Sequence, residues 1–368
     1  MTTLIATVGS NPLPVVVSIR ALNPDRLWLL YTDDVREVTD RISNHLNRKL
    51  TNCEIWRLEI KDHQKAKSIR ATLGEITEDW PNTSLNYTGG TKLMAVHVHS
   101  FWKEKGGRSE NASYLGSDGR LYFDDGMIIE EKDLPSLSLD EQCLLHIGKI
   151  PHERGNHHCE LEYVELAEKI YQAGCRISWA KYKEMVDKAN KGKNFADVYG
   201  EINVGLEYIP DFCDSKFLQG DWLEIWLAHQ LKQIKIDNTP LFDNIEQHVK
   251  VDKNPDFEMD VVATRGYRVF VFSCAAKSRD RDVKEKFFEV VNRAARIGGE
   301  HARAAVVCLH ENPQTVLRTV QAEHWPGYDT LRLFGQAHIK GEREHCQVGE
   351  QARPVTLLEG IREWVLPA

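Results

Sequence analysis

Apolar strand, turn and helix recur in that order across the first hundred or so residues, and this recurrence limits the fold more tightly than any other feature. Leu4 to Val8 reads as a short apolar strand that runs into Gly9, Ser10, Asn11 and Pro12, with a helix over Pro14 to Leu22. Arg26 to Tyr31 is a second strand, ending at Thr32, Asp33 and Asp34. Val35 to Leu50 follows with Val35, Val38, Ile42 and Leu46 on one face, the spacing of an amphipathic helix. Cys53 to Glu59 suits a third strand and Lys61 to Thr77 a polar helix; Leu85 opens a fourth strand before a helix over Leu93 to Trp102. Strands joined through helices run parallel, because a parallel partner is reached only by a long crossover. Sheets of that kind carry their ligands at the carboxyl ends of the strands.

The fourth strand leads into Asn86-Tyr-Thr-Gly-Gly-Thr-Lys92. Two glycines let backbone amides approach a ligand closely. Thr88, Thr91 and Lys92 bring hydroxyl and cationic donors to a helix N-terminus, which suits phosphate or ribose. The GxxxxGK spacing is absent, so this is not a Walker loop. A plain strand-to-helix turn is the alternative reading. Further on, Ser113 to Leu115, Arg120 to Phe123 and Gly126 to Ile129 read as short strands. Gly116 to Gly119 and Asp124 to Gly126 are hairpin turns between them, which predicts an antiparallel edge.

A second set of signals lies in the C-terminal half. Glu258 to Lys277, EMDVVATRGYRVFVFSCAAK, reads as two strands, Met259 to Ala263 and Arg268 to Ala275, joined by a turn at Thr264, Arg265 and Gly266. Val269, Val271, Ser273 and Ala275 share one face of the second strand by the period-two rule. Asp260 sits on the first strand. Upstream, Phe217 to Ile234 is amphipathic once past Gly220; Asp221 is placed to cap it, and Trp222, Leu223, Trp226, Leu227 and Leu231 form its apolar face. Glu224 stands among them, where a carboxylate is unfavourable unless it is paired or binds a cation. Alternatively it lies at the edge of the stripe and reaches solvent. Glu246 to Val251 reads as a strand, Val283 to Ile297 as a helix closed by Gly298-Gly299, and Ala302 to Leu309 as a buried strand.

Between these halves, Pro135 to Gln142 reads as a polar connector, Glu160 to Ala173 and Ser178 to Asp187 as amphipathic helices, and Lys188 to Lys193 as a basic loop. His152, His157, His158 and Cys159 are residue types that bind zinc, but no second ligand pair of suitable spacing stands nearby, so the stretch reads as a solvated loop. With 368 residues the chain has room for two cores. A net charge of −8 excludes a protein that coats nucleic acid by bulk charge, and leaves room for a local basic channel. No apolar run is long enough to span a membrane, and MTTLIATVGS lacks the basic start of a secretory signal. Eight scattered cysteines without a CxxC pair suit free thiols in a cytoplasmic protein.

Taken together, Gly9-Ser10-Asn11, Thr32-Asp33-Asp34 and NYTGGTK before a helix resemble a CARF domain, the Rossmann-like sensor of CRISPR-associated effectors. The resemblance implies a two-fold dimer that binds the cyclic oligoadenylates made by type III CRISPR complexes, a ring of four adenylates ahead of one of six. Gly9, Ser10, Asn11, Thr32, Thr88, Gly89, Gly90, Thr91 and Lys92 would line that site. A symmetric ring suits a two-fold interface, since each protomer offers it the same patch.

Downstream, a helix with Glu, a strand, an Asp-bearing hairpin, a helix and a strand resemble the αβββαβ core of restriction-endonuclease-like, PD-(D/E)xK nucleases. Gly220-Asp-Trp-Leu-Glu224, Glu258-Met-Asp260 and Ser273-Cys-Ala275 match the motifs of CARF–nuclease effectors. This implies that Glu224 and Asp260 hold Mn²⁺ or Mg²⁺ with the Cys274 carbonyl, with Glu258 and Glu289 as further candidates. Lys250, Arg265, Arg268, Lys284, Lys286 and Arg293 are the cations available to a phosphate backbone. The second strand departs from the pattern, with Ser273 at the acid position and Ala275 at the lysine position. Either Lys277, one pleat further on, reaches back, or Ala275 is a natural or engineered substitution that silences cutting; the second is the expectation adopted.

The expected protein is thus an α/β chain with a CARF sensor over 1–140, a helical linker over 141–200 and a nuclease over 201–368. It would be a cytoplasmic homodimer that cleaves single- or double-stranded DNA or RNA when its ligand binds. The alternatives are a non-catalytic, ligand-responsive nucleic-acid-binding regulator with a degenerate nuclease fold, and a CARF domain that degrades its own ligand.

Overall fold

The computed structural model describes residues 1–155, 161–176, 181, 182, 184, 187, 217–253, 256–276, 279–324, 330–341 and 356–366. The chain divides into two compact units. One comprises Met1–Ile150 with Gly266–Arg268 and Arg296–His301; the other comprises Pro151–Arg265, Val269–Ala295 and Ala302–Ala368. Among the described residues no helix is long and apolar enough to cross a membrane.

The first unit is built on a seven-stranded sheet of β1 (Thr3–Thr7), β2 (Arg26–Tyr31), β3 (Glu54–Glu59), β4 (Thr83–Asn86), β5 (Ala112–Leu115), β6 (Leu121–Phe123) and β7 (Ile128–Ile129), in the order β3-β2-β1-β4-β5-β6-β7. The first five strands run parallel, and β6 and β7 add the antiparallel edge that the turns predict. Helices α1 (Pro12–Leu22), α2 (Arg36–Lys49), α3 (Ala66–Leu73) and α4 (Lys92–Glu104) cover the two faces. Leu4, Ala6, Leu27 and Leu29 pack with Val15, Val16, Ile19, Ile42 and Leu46 of α1 and α2. Ile5, Leu30 and Leu85 pack with Ile69, Leu73, Met94, Val98 and Trp102 of α3 and α4. Burial on both faces is why β1 is buried at every position, with no alternation.

Two stretches of this unit depart from the sequence reading. The helix expected over Lys61 to Thr77 shortens to Ala66–Leu73. Before it, the Asp62 carboxylate accepts from the Gln64 N–H (3.1 Å), a local turn that competes with helix. The polar connector expected over Pro135 to Gln142 instead starts helix α5 (Leu139–Ile147), where Ser138 and Glu141 form a reciprocal capping box. Helix α6 spans Leu161–Arg176. His157, His158, Cys159 and the basic loop over Lys188 to Lys193 lie outside the described residues, as does most of Ser178 to Asp187.

The second unit follows the expected αβββαβ order. Helix α7 (Trp222–Gln233) leads through a small hairpin, β8 (Lys235–Ile236) and β9 (Thr239–Pro240), into β10 (Asn244–Lys253), β11 (Asp256–Arg265) and β12 (Arg268–Ala275). Then come α8 (Asp280–Gly298), β13 (Arg303–Cys308), α9 (Pro313–His324), β14 (Leu331–Phe334), α10 (Gln336–Lys340) and α11 (Leu357–Val365). The sheet order is β10-β11-β12-β13-β14, with β10 and β11 antiparallel and β12, β13 and β14 parallel. Every residue of β12 is buried. On one face Val261, Ala263, Phe270, Phe272, Ala305 and Val307 pack against Trp222, Leu223 and Leu227 of α7 and Ile361 and Trp364 of α11. The opposite face carries Asp260, Ser273 and Ala275, all buried. The β12-to-β13 connection is a parallel crossover, so its helix α8 covers that face. Asp221 does not cap α7 with its side chain as expected. A five-residue π turn, Phe217–Asp221, feeds the helix, so Asp221 already has helical dihedrals (φ −58°, ψ −34°).

Candidate functional sites

In the first unit the chain leaves β1 toward β2 and β3 on one side and returns to β4 on the other. A reversal of this kind is where open parallel sheets take their ligands, here at the carboxyl ends of β1 and β4. The glycines of the two turns meet there. The Thr7 hydroxyl donates to the Gly89 carbonyl (2.7 Å). A β-carbon on Gly9 would lie 2.8 Å from the Gly90 nitrogen; one on Gly89 would lie 2.2 Å from the Thr7 carbonyl oxygen and 2.9 Å from the Gly9 nitrogen. Gly90 has φ +80°, a conformation that favours glycine. Because backbone atoms block the Gly89 position, Gly89→Ala is expected to destabilise this unit by roughly 1–3 kcal/mol, read by denaturant unfolding. An alanine variant as stable as the parent would show that the turns do not pack this way.

Other residues of the motif divide between scaffold and free donors. Asn86 is fully buried and donates to the Ser113 hydroxyl (3.2 Å), while Thr88 Oγ1 accepts from the Leu115 N–H (2.8 Å). Thr91 caps α4 by accepting from the Met94 N–H (3.2 Å), and Thr91 and Lys92 are exposed at that helix start. Asn11 caps α1 by accepting from the Leu13 N–H (3.2 Å); its Nδ2 is buried with no hydrogen-bond partner among the described residues. Gly9 is half-buried, Ser10 exposed, and Thr32 buried at the end of β2. The sequence reading missed a cluster beside the motif. The Tyr87 hydroxyl donates to Asp124 Oδ1 (2.7 Å), and His99 Nε2 lies 2.6 Å from Asp124 Oδ2. Burial, then the bond to Asp124, raises the Tyr87 phenol, so it stays protonated. Nothing in the spacing of these three residues signals the cluster.

In the second unit α7 contributes Glu224 and β11 contributes Asp260. Asp260 is buried, and its Oδ2 accepts from the Ser273 hydroxyl (3.0 Å) and the Cys274 N–H (2.7 Å). Its Oδ1 has no hydrogen bond among the described residues. Burial raises the Asp260 carboxyl, against Lys286, the Cys274 N–H, the Ser273 hydroxyl and Arg293, which lower it. Glu224 is half-buried. Burial, then the negative charges of Asp260, Asp221 and Glu258, hold its carboxyl well above the usual range, and Lys286 opposes them. The Cys274 thiol is raised by burial and then by Asp260 and Glu224. Paired strand residues exchange both N–H and C=O, so a residue's two backbone groups lean toward the same edge. The Cys274 carbonyl therefore faces β11 beside Asp260.

The remaining expected residues have other partners or places. Ser273 positions Asp260. Ala275 is buried, in register with Cys308 of β13, and Lys277 lies outside the described residues. Glu258 Oε1 lies 2.9 Å from His248 Nδ1, and Glu289 is held by Lys286 (3.2 Å) and by Arg293. Lys250 pairs with Glu153 (2.8 Å), Arg265 donates to the Leu241 carbonyl (2.7 Å), and Arg268 is buried. His248, unremarkable in sequence, has φ +51° within β10, a strained conformation for a residue with a β-carbon.

Among the described residues no cluster of three or more His, Cys, Asp or Glu side chains is arranged to hold a metal ion. Two carboxylates with a backbone carbonyl nonetheless fit a small, hard divalent cation, which commonly takes one or two carboxylates and completes its shell with water and substrate phosphate. The uncommitted Asp260 Oδ1 and the mutual repulsion of Glu224 and Asp260 are what such a cation relieves.

Two family models match the sequence: the Card1 CARF domain over residues 3–125 and the Card1-like endonuclease domain over residues 212–346. A search of curated proteins finds no match. Can2 from Sulfobacillus thermosulfidooxidans, solved with cyclic tetra-adenylate, has a TM-score of 0.70 at 16% identity over 94% of this chain and 97% of its own. VC1899 from Vibrio cholerae has a TM-score of 0.69 at 13% identity over 94% and 96%. A type III CRISPR defence DNA nuclease activated by cyclic oligoadenylate has a TM-score of 0.58 at 15% identity; the match covers 99% of this chain and 51% of that one, so this chain spans about half its length. At these identities the likeness is one of fold. The chain joins a CARF domain of the Card1 type to a Card1-like endonuclease domain.

Proposed function

We propose that this is a cytoplasmic, homodimeric, metal-dependent nuclease of type III CRISPR defence, activated when cyclic oligoadenylate, foremost cyclic tetra-adenylate, binds its CARF domain. The observation that carries the reading is the pairing of Glu224 and Asp260, two carboxyl groups held near one another in an endonuclease domain although the Asp260 charge raises the cost of ionising Glu224. The cyclic tetra-adenylate bound to Can2, whose fold this chain shares, supports the ligand. Gly9, Gly89 and Gly90 would admit the ring to backbone amides, and Asn11, Thr32, Thr88, Thr91 and Lys92 would supply donors. Leu93 and Val96, exposed on α4 directly after the ligand turn, suit burial against a second copy. Residues 141–200 would join the sensor to the nuclease.

At the cleavage site the Ser273 hydroxyl and Cys274 N–H fix one oxygen of Asp260 and leave the other for Mn²⁺ or Mg²⁺. Glu224 and the Cys274 carbonyl complete the protein's share of the ligands. A cation bound there lowers the pKa of bound water and stabilises charge developing on phosphorus. Ligand binding activates only by favouring one arrangement of the dimer over another.

The test is cleavage of single- and double-stranded DNA and RNA with and without cyclic tetra-adenylate and Mn²⁺. Cutting that requires both supports the proposal, and cutting indifferent to a chelator sinks it. Ala275 favours a second reading, a ligand-responsive regulator that binds nucleic acid without cutting it. Ligand-dependent binding with no cleavage under any cation would establish that reading. Loss of the cyclic ligand alone would point to a CARF domain that degrades its activator.

A further inference from the structure

Ala275 leaves the strand position beside Asp260 without a cationic side chain, yet the site does not lack a cation. Helix α8 crosses the sheet face that carries Asp260, Ser273 and Ala275, because it is the crossover between β12 and β13. Val283, Phe287, Val290 and Ala294 are buried on its inner side. Lys286 and Arg293 flank this apolar stripe, and Glu289, between them, binds both. The Lys286 side chain is only 29% exposed, which is low for a lysine. Among the described residues, it is the cation whose charge acts on Glu224, Asp260 and Cys274 alike.

Resting on the nuclease reading above, we propose that Lys286 of α8 takes the role of the missing strand lysine. Its ammonium, anchored by Glu289, faces the Glu224–Asp260 pair and holds the scissile phosphate and attacking water against them. Charge on phosphorus grows as the water attacks, so a fixed ammonium stabilises that state more than the ground state. The lysine has moved from strand to helix, and Ala275 makes room beneath it. Ala275 then marks an exchange of position, and the chain as it stands cuts.

Lys286→Met keeps the aliphatic stem that packs along the helix and removes only the charge. It is to be compared with the parent, Lys286→Ala, Lys286→Arg and the double variant Lys286→Ala with Ala275→Lys. Cleavage is followed in single turnover with cyclic tetra-adenylate and Mn²⁺, Mn²⁺ affinity by calorimetry, and folding by melting temperature. Both neutral variants should lose about 10²–10³-fold in cleavage rate. They should bind Mn²⁺ at least as tightly as the parent, because a positive charge has left the neighbourhood of a cation site. Lys286→Arg should keep part of the rate, and the double variant should recover about tenfold or more over Lys286→Ala.

A Lys286→Met protein that cuts within about threefold of the parent overturns the proposal, as does one that loses Mn²⁺ binding and cleavage together, the mark of a structural role. A double variant no faster than Lys286→Ala overturns the exchange of position. A parent chain that cuts nothing under any cation overturns the nuclease reading itself, a result distinct from either.

Discussion

Asp260→Asn should bring ligand-dependent cleavage down by about 10³-fold or more, the largest loss expected from any single substitution in this chain. The change is nearly isosteric. The amide oxygen still accepts from the Ser273 hydroxyl or the Cys274 N–H, so the hairpin is expected to stay folded. What disappears is the negative charge, and with it most of the affinity for a divalent cation. Single-turnover cleavage with Mn²⁺ and activator measures the first effect, and calorimetric titration of Mn²⁺ measures the second. Titration of cyclic tetra-adenylate into the same variant should match the parent, since no residue of the proposed ligand crevice has changed. An Asp260→Asn protein that still cuts at a tenth of the parental rate would remove Asp260 from the chemistry.

Glu224→Gln should raise the melting temperature of the metal-free protein at about pH 8 by several degrees, equivalent to roughly 1–3 kcal/mol. Burial and the neighbouring carboxylates raise the Glu224 carboxyl in the folded state. Its favourable contribution to folding is therefore fully present below the unfolded value of about 4.5 and is lost as pH rises through the folded value. As pH rises, the folded parent meets the cost of ionising a buried, repelled carboxylate; glutamine does not. The difference between the two proteins should shrink steadily on acidification.

His45, His146 and His338, each lowered by burial to about 4, act in the opposite sense: the stability they contribute falls as pH drops through their unfolded value of 6.5 toward 4. They are common to both proteins and cancel in the comparison. Adding Mn²⁺ should reverse the order, stabilising the parent far more than the variant and releasing protons as it binds. A variant whose advantage is unchanged between about pH 8 and pH 5 would mean that Glu224 is not held against its ionisation.

The parallel sheet of the first unit was legible because β1 and β2 are rich in apolar residues, helices follow the strands across turns, and β1 has no polar alternation. Glu224 was legible because it interrupts an apolar stripe whose other members, Trp222, Leu223 and Leu227, are indeed buried. Ser273 and Asp260 were legible as hairpin partners through the period of two, and they meet at 3.0 Å. Lys286 was visible only as one cation among several. Lys284, Lys286 and Arg293 read alike as cations available to a phosphate backbone, and only the crossover of α8 onto the face of Asp260 singles out Lys286. His248 gave no sign of its left-handed backbone, because a histidine inside a strand pattern predicts extended dihedrals. The Ser138–Glu141 box was in plain view as S-x-x-E, but Pro135 and the polar residues around it hid the short helix it starts. Asp221 failed as a cap because the π turn before it was not foreseeable from Gly220, a residue that usually ends regular structure.

Serine at position 273 has one more consequence, for the order in which partners arrive. With a neutral hydroxyl where the family motif allows an acid, the formal charges of Glu224 and Asp260 balance a single divalent ion and leave no surplus. Loaded, the pocket is electroneutral before Lys286 is counted, and a polyanion meets no barrier there. Unloaded, it presents two carboxyl groups against the single charge of Lys286, and the backbone of a nucleic acid is disfavoured there. Nucleic acid should therefore dock after the cation, and a chelator should release the strand as well as stop the cut.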